Sequence, residues 1–388
     1  MTLRTAPHRG AAGRFTRSHW ENAAMAGPRP RPGILDIEAY IGGKAASEHG
    51  GPVAKLSANE SPLGPSPRAV EAYRGLADRL HRYPDGGSLD LRETLAERDD
   101  LEVGRLVFGA GSDELIALLI RSYAGPGDEV VHSAHGFLMY RLATLAAGAT
   151  PVAAPEDDLH TSVDAVLARV TPRTRLVFLA NPNNPTGTWL PAAEIARLHA
   201  ALPEDVLLVL DAAYREYVDA ADYDDGRALA RGAGNVVVLG TFSKIMGLAA
   251  LRLGWAYAPT AVADVLNRVR GPFNVAAPAQ VAGVAALRDR DQLAAAKAHN
   301  DAWRPWLEQR LHELGFATTA SVANFVLIRC ADVATAGRVL AVLERGGVLA
   351  RAMGAYGLPA AVRLSVGLDE ENRRAIDLLA AAAAERVA

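Results

Sequence analysis

Seven short runs between residues 105 and 259 carry apolar residues without polar alternation: "RLVFGAG", "DEVVHSA", "ATPVAAP", "TRLVFLAN", "VLLVLDAAY", "NVVVLGTFSK" and "RLGWAYAP". A strand with one wet face alternates apolar and polar residues, so runs of this kind predict strands buried on both faces. Between several of them lie stretches such as "AAEIARLHAAL", whose apolar residues fall three and four apart, the spacing of a helix packed on one side. The alternation starts near residue 68 and predicts an α/β fold, with a mostly parallel seven-stranded sheet covered by helices in a large domain. After "RGPFNVAAPAQ" the texture changes. A long helical stretch leads to strands at "ANFVLIRC" and "AVRLSVG" and a helix at "AGRVLAVLERGG". This predicts a smaller α+β domain. The expected division is a disordered leader at 1–30, a large domain at 67–275, and a small domain made of 31–66 plus 276–388.

A chain of 388 residues is long enough for two such units. No apolar run approaches the roughly 20 residues that span a bilayer, so no membrane association is expected. The net charge of -3 and pI near 6.4 argue against a nucleic-acid partner, which calls for a basic face. Cys330 is the only cysteine, excluding an intrachain disulfide and favouring a reducing, cytoplasmic compartment. The first 33 residues are rich in Arg, Ala, Gly and Pro, with Glu21 the only acid. They read as a disordered leader or an over-long start in preference to a transit peptide, and they lack the apolar core of a secretion signal.

In open α/β sheets, ligands bind at the carboxyl ends of the strands, and four strand ends here hold unusual polar residues. "FGAGSDEL" is a strand, small residues and a helix start. Ser112 and Asp113 there either cap an ordinary helix or open an anion site built from backbone N–H groups. "LANPNNPTG" packs two Asn-Pro steps ahead of Thr-Gly, a rigid turn suited to hold Asn184 at a fixed angle. In "VLDAAYREY", Asp211 ends a run that is expected to be buried. An unpartnered carboxylate there costs several kcal/mol, so it either caps the next helix or faces a ligand cation. The fourth end is "TFSK". The chain has four lysines (Lys44, Lys55, Lys244 and Lys297) and otherwise uses arginine. A surface charge does not require that choice at position 244. A nucleophilic amine does, because a guanidinium does not give up its proton. Thr241, Ser243 and Arg252 beside it offer hydroxyls and a planar cation to a phosphate.

An aldehyde for the lysine, a ring nitrogen for the aspartate and a phosphate for the helix start are together the parts of pyridoxal 5'-phosphate. With these motifs, "KLSANESPLGPSP", "RYPDGG", "GAGSDEL", "NPNNPTGT", "TFSK" with Arg252, "GPFNV", "ANFVL" and "VRLSVG" occur in the order that resembles the fold-type I pyridoxal-phosphate aminotransferases, from about residue 31 to the C-terminus. "ANESPLGPSP" with "RYPDG" resembles the histidinol-phosphate aminotransferase branch in particular. The resemblance implies that Lys244 forms the Schiff base and serves as general base. It implies that Asp211 partners the pyridine nitrogen, and that Asn184 and Tyr214 bind the ring hydroxyl. Ser112, Asp113, Thr241, Ser243 and Arg252 are implied at the phosphate. Phe137 falls where the family stacks an aromatic ring over the pyridine, or is a core residue. Tyr83 matches a tyrosine reaching the phosphate of the neighbouring subunit, implying a homodimer with shared sites. Arg363 matches the arginine that grips the anionic end of the substrate; Arg351 and Tyr40 match further substrate contacts or are surface residues. No metal ligand is implied.

The implied reaction moves an amino group between L-histidinol phosphate and 2-oxoglutarate, giving imidazole-acetol phosphate and glutamate, in L-histidine biosynthesis. Its small-molecule partners are thus an amino donor and a 2-oxo acid. An aromatic amino acid aminotransferase is the alternative, since an imidazole pocket also admits a benzene ring, and a threonine-phosphate decarboxylase shares the fold. A regulator with such a ligand domain needs a DNA-binding module, for which the leader has neither length nor helical periodicity. Ala212, Gly240, Met246 and His135 depart from the common pattern without removing a catalytic group.

Overall fold

The computed structural model describes residues 30, 31, 33–37 and 53–384. Residues 1–29 of the expected leader, and Tyr40, lie outside them. Two helices, α1 (Pro67–Arg74) and α2 (Leu89–Asp99), precede the first strand of the large sheet. Then follow β1 (Leu106–Gly109), α3 (Ser112–Tyr123), β2 (Glu129–Ser133), α4 (Leu138–Ala147), β3 (Thr150–Ala154), β4 (Thr174–Ala180), β5 (Leu207–Asp211), β6 (Val236–Thr241) and β7 (Gly254–Tyr257). These seven strands form one sheet in the order β1-β7-β6-β5-β4-β2-β3. The five from β6 to β3 run parallel, and β7 is antiparallel to both its neighbours.

The unbroken apolar runs are explained by the two cores they serve. Leu208, Leu210, Val236 and Val238 belong to one cluster and Val209, Val237, Leu239 and Phe178 to a second, so successive residues of each strand feed opposite faces. Each fully buried side chain of this kind contributes roughly 1.5–3 kcal/mol. The run "ATPVAAP" departs from the expectation of burial on both faces. It forms β3 at the sheet edge, where Thr150 and Ala153 are exposed and only Ala154 is buried. Pro151 supplies the reason, since a residue without an N–H sits without cost where there is one neighbour to satisfy.

Beyond β7 come α5 (Ala277–Arg288), α6 (Arg290–Glu313), β8 (Ala317–Thr318), β9 (Phe325–Arg329), α7 (Val333–Arg345), β10 (Arg351–Ala352), β11 (Ala361–Ser365) and α8 (Asp369–Ala384). The four strands make an antiparallel sheet, β8-β9-β11-β10. Its core joins Val326, Ile328, Val362 and Leu364 to Leu307, Leu311, Val339 and Leu343, and takes in Ala54 and Leu56 from ahead of α1. Helix α5, expected with the smaller unit, puts its Ala279, Ala282, Ala286 and Leu287 in the larger core. Gly283 shows why: a Cβ there would stand 2.6 Å from Leu253 and 2.9 Å from Leu91, so a small-residue face lets α5 pack close. The passage between cores falls inside α6, with Ala296 in the larger and Leu307 in the smaller. Among the described residues no helix is long and apolar enough to cross a membrane.

Candidate active site

Parallel pairing sets Ala180, Asp211 and Leu239 side by side, so the chain leaves β4, β5 and β6 at one edge of the sheet. The cleft at that edge is closed from above by residues 57–60 and by β10 and β11, and encloses about 1040 Å³ with its solvent-filled mouth. It brings together Ser112, Asp113, Phe137, Asn184, Asp211, Tyr214, Thr241, Ser243, Lys244, Arg252, Arg351 and Arg363. Tyr83 is not among the lining residues. It is 83% exposed and stacks on Phe273, ring centroids 4.6 Å apart.

Lys244 follows the buried Thr241–Ser243 segment and points its Nζ at the Ala58 carbonyl, 3.3 Å away, and toward the Tyr214 ring at 5.6 Å. Burial, reinforced by the nearby Arg363 guanidinium, brings its pKa down to about 8. At pH 7 roughly a tenth of such amines are neutral, some 300-fold more than for a lysine of ordinary pKa. Asp211 is 5% exposed. Desolvation pushes its pKa up to about 6, against the hydrogen bonds from Tyr140 Oη (2.7 Å) and the Ala213 N–H (3.3 Å), which favour the carboxylate. These two donors do not offset the burial. A cation brought against this carboxylate would.

At the opposite end, α3 begins at Ser112 with no side chain capping it. Arg252 donates from Nη1 to Ser243 Oγ (3.2 Å) and from Nη2 to Asp113 Oδ2 (3.3 Å). Gly111 is required there by its φ of 87°, a backbone that a side chain would strain, and a Cβ would also displace the Arg252 guanidinium. A helix start with free first-turn N–H groups, two hydroxyls and a guanidinium suits a phosphate. Phe137 stands edge-on to Tyr140, ring centroids 5.9 Å apart, with part of its surface in the cleft.

Arg363 donates to Asn184 Oδ1 and, at 3.0 Å, to the Ser57 carbonyl, and so crosses from β11 to the turn after β4. Arg351 is its direct neighbour in register on β10, which doubles the positive charge at this end of the cleft. Tyr214 Oη accepts from Asn59 Nδ2 at 2.9 Å.

Tyr140, Asn59, Ser57, Glu60 and Tyr356 also line the cleft, and sequence reasoning did not single them out. Asn59 and Glu60 sat within the quoted "ANESPLGPSP", and Tyr140 comes three residues after Phe137 on the first turn of α4, a spacing that puts both on one side. The four departures from the common pattern also find places. The buried Trp255 ring lies against Gly240, where a Cβ would fall 2.2 Å from it, and Ala212 and Met246 are in the larger core. His135 faces the Tyr356 carbonyl across the two units, Nδ1 to oxygen 2.7 Å.

The sequence profile of the family described as aminotransferase class I and II matches residues 52–379. The chain belongs to this family. Among similar class I and II aminotransferases, the histidinol-phosphate aminotransferase of Paramagnetospirillum magneticum is 55% identical over 92% of this chain and 98% of its own. That of Rhodospirillum centenum is 53% identical over 92% and 98%. Of solved structures, histidinol-phosphate aminotransferase from Sinorhizobium meliloti, a complex with pyridoxal-5'-phosphate, superposes with a TM-score of 0.84 at 30% identity, covering 94% of this aminotransferase and 98% of the other.

Proposed function

We propose that the chain is a pyridoxal-phosphate-dependent aminotransferase that exchanges an amino group between L-histidinol phosphate and 2-oxoglutarate, a step in making L-histidine. The observation that carries the reading is near-full-length identity above half to enzymes of that name. The cleft fits the group. Its buried carboxylate needs a cation, its lysine is partly deprotonated at neutral pH, and its helix start and Arg252 suit a phosphate. The single cysteine supports a reducing cytoplasm as the compartment.

When bound, pyridoxal phosphate supplies an aldehyde that condenses with amines and a protonated ring that draws electrons from the adjoining carbon. The chain does the rest. Lys244 Nζ would hold the group by its aldehyde, and once free its amine would carry the proton between the substrate carbon and the carbon that bears the aldehyde. Asp211 would keep a proton on the ring nitrogen, and Tyr140, donating to Oδ2, fixes that carboxylate in place. Asn184 and Tyr214 would serve the ring hydroxyl, Ser112, Asp113, Thr241, Ser243 and Arg252 would hold the phosphate, and Phe137 would pack on the ring. Arg363 and Arg351 take the anionic end of either substrate, phosphate or carboxylate. Asn184, bonded to Arg363, links that grip to the ring.

The deciding assay offers the holoenzyme histidinol phosphate, phenylalanine, tyrosine and threonine phosphate, each with 2-oxoglutarate. Glutamate should form fastest from histidinol phosphate, by at least about tenfold in kcat/KM. Preference for an aromatic amino acid, or carbon dioxide released from threonine phosphate, would overturn the assignment. Arg363→Lys should raise KM for histidinol phosphate by roughly ten- to a hundredfold, the loss expected when a two-bonded guanidinium becomes a point charge. An unchanged KM would remove Arg363 from substrate binding.

Leu80, Tyr83 and Phe273 leave large apolar surface in water, 71%, 83% and 42% exposed. Such a patch supports a homodimer in which Tyr83 reaches the phosphate of the partner subunit. Sedimentation should give twice the 41.0 kDa chain mass, and Tyr83→Ala should weaken cofactor binding although Tyr83 lies outside its own cleft. A monomer with full cofactor affinity would exclude the shared site.

A further inference from the structure

Asn59 is fully buried and holds a left-handed backbone, φ 55°. Its hydrogen bonds fix which way round its amide sits. The backbone N–H donates to Ser365 Oγ at 2.9 Å, and the backbone carbonyl accepts from Asn324 Nδ2 at 3.1 Å. Because Ser365 Oγ accepts that N–H, its own hydrogen goes to Asn59 Oδ1, 2.9 Å away. The amide oxygen is thereby engaged, and the amide nitrogen is the end turned to Tyr214 Oη. A phenol that accepts along one direction keeps its own proton for another. Tyr214 lines the cleft, and the proton it retains is left for a group bound there.

We propose that Asn59 is a positioning residue that makes Tyr214 a hydrogen-bond donor into the cleft, toward the ring hydroxyl of pyridoxal phosphate. This rests on the proposed binding of that group. The role differs from the part Asn59 plays within the smaller unit, where it bonds Ser365 and Asn324. A donor on the ring oxygen draws off negative charge and loosens the proton on the adjacent nitrogen joined to Lys244. The pH at which the lysine-bound chromophore loses its proton therefore falls, and removing the donor raises it.

The test is an absorbance titration of four holoenzymes: wild type, Asn59→Gly, Tyr214→Phe and the double variant. Glycine accepts the positive φ and retains both backbone hydrogen bonds, so only the amide is lost. Asn59→Gly and Tyr214→Phe should each raise the titration midpoint by about half to one pH unit, the size expected for one neutral hydrogen bond. The double variant should match Tyr214→Phe alone. An equal shift from Asn59→Gly in both backgrounds, or none in the wild-type background, overturns the inference and leaves the cofactor reading intact. Failure of wild type to develop a visible band with pyridoxal phosphate overturns both. If Asn59→Gly does not fold, Asn59→Asp takes its place. As a carboxylate it keeps the acceptor for Ser365 and draws the Tyr214 proton away from the cleft, so its shift should be larger with Tyr214 present than in the Tyr214→Phe background.

Discussion

Lys244→Ala is expected to lower turnover by more than about 10⁴-fold, because one substitution removes both the covalent anchor and the proton carrier. Lys244→Arg should be as inactive, since a guanidinium retains the charge but neither attacks an aldehyde nor moves a proton at neutral pH. The companion measurement uses wild-type apoprotein. Only the neutral amine attacks, and the amine titrates near 8, depressed by burial and by Arg363. Covalent uptake of pyridoxal phosphate should therefore speed up about tenfold per pH unit below 8 and level off above it. Uptake that is flat from pH 6 to 8, or turnover surviving in Lys244→Ala, would take the lysine out of its assigned place.

Asp211→Asn should lower kcat by roughly 10²–10³-fold, the usual cost of deleting a preorganised charge that stabilises a transition state. Cofactor should still bind through its phosphate. The same substitution should stabilise the apoprotein, and the sign follows from the direction of the shift. Asp211 has a folded pKa near 6, above its unfolded value of 3.8, so ionisation costs more in the folded state. The penalty is absent below about pH 4, grows between 4 and 6, and is complete above 6. It then amounts to roughly 3 kcal/mol. The apo Asp211→Asn protein should thus melt several degrees higher than wild type at pH 7.5 and level with it at pH 4. Equal melting temperatures at both pH values would mean that the carboxylate already has a compensating partner.

The two expected results describe one compromise: a carboxylate that weakens the empty protein is what the loaded protein uses. It also explains how much of the site could be read without coordinates. Asp211, Lys244 and Asn184 were legible because each is a polar residue at the end of an apolar strand or within four residues after it, and a sheet delivers strand ends to one edge. Tyr140 and Asn59 were not, because their importance comes from a hydrogen-bond partner more than seventy residues away in sequence, Asp211 for one and Tyr214 for the other. In the fold, strand number and the mostly parallel sheet followed from the apolar runs, whereas the antiparallel sense of β7 did not. The placing of α5 did not, because its alanine-rich face carries little hydrophobic signal and earns its place by close approach to Leu91 and Leu253. The edge position of β3 was written in Pro151, which marks the one strand with a missing donor.

Lys244 and Asp211 rise from the larger unit, whereas Arg351 and Arg363 belong to the smaller sheet. On the proposed reading, the residues for reaction type and those for choice of substrate lie in separate stretches of chain that meet at the cleft. Exchanging the two short strands that carry those arginines should then change whom the protein serves without touching the groups that make and break bonds.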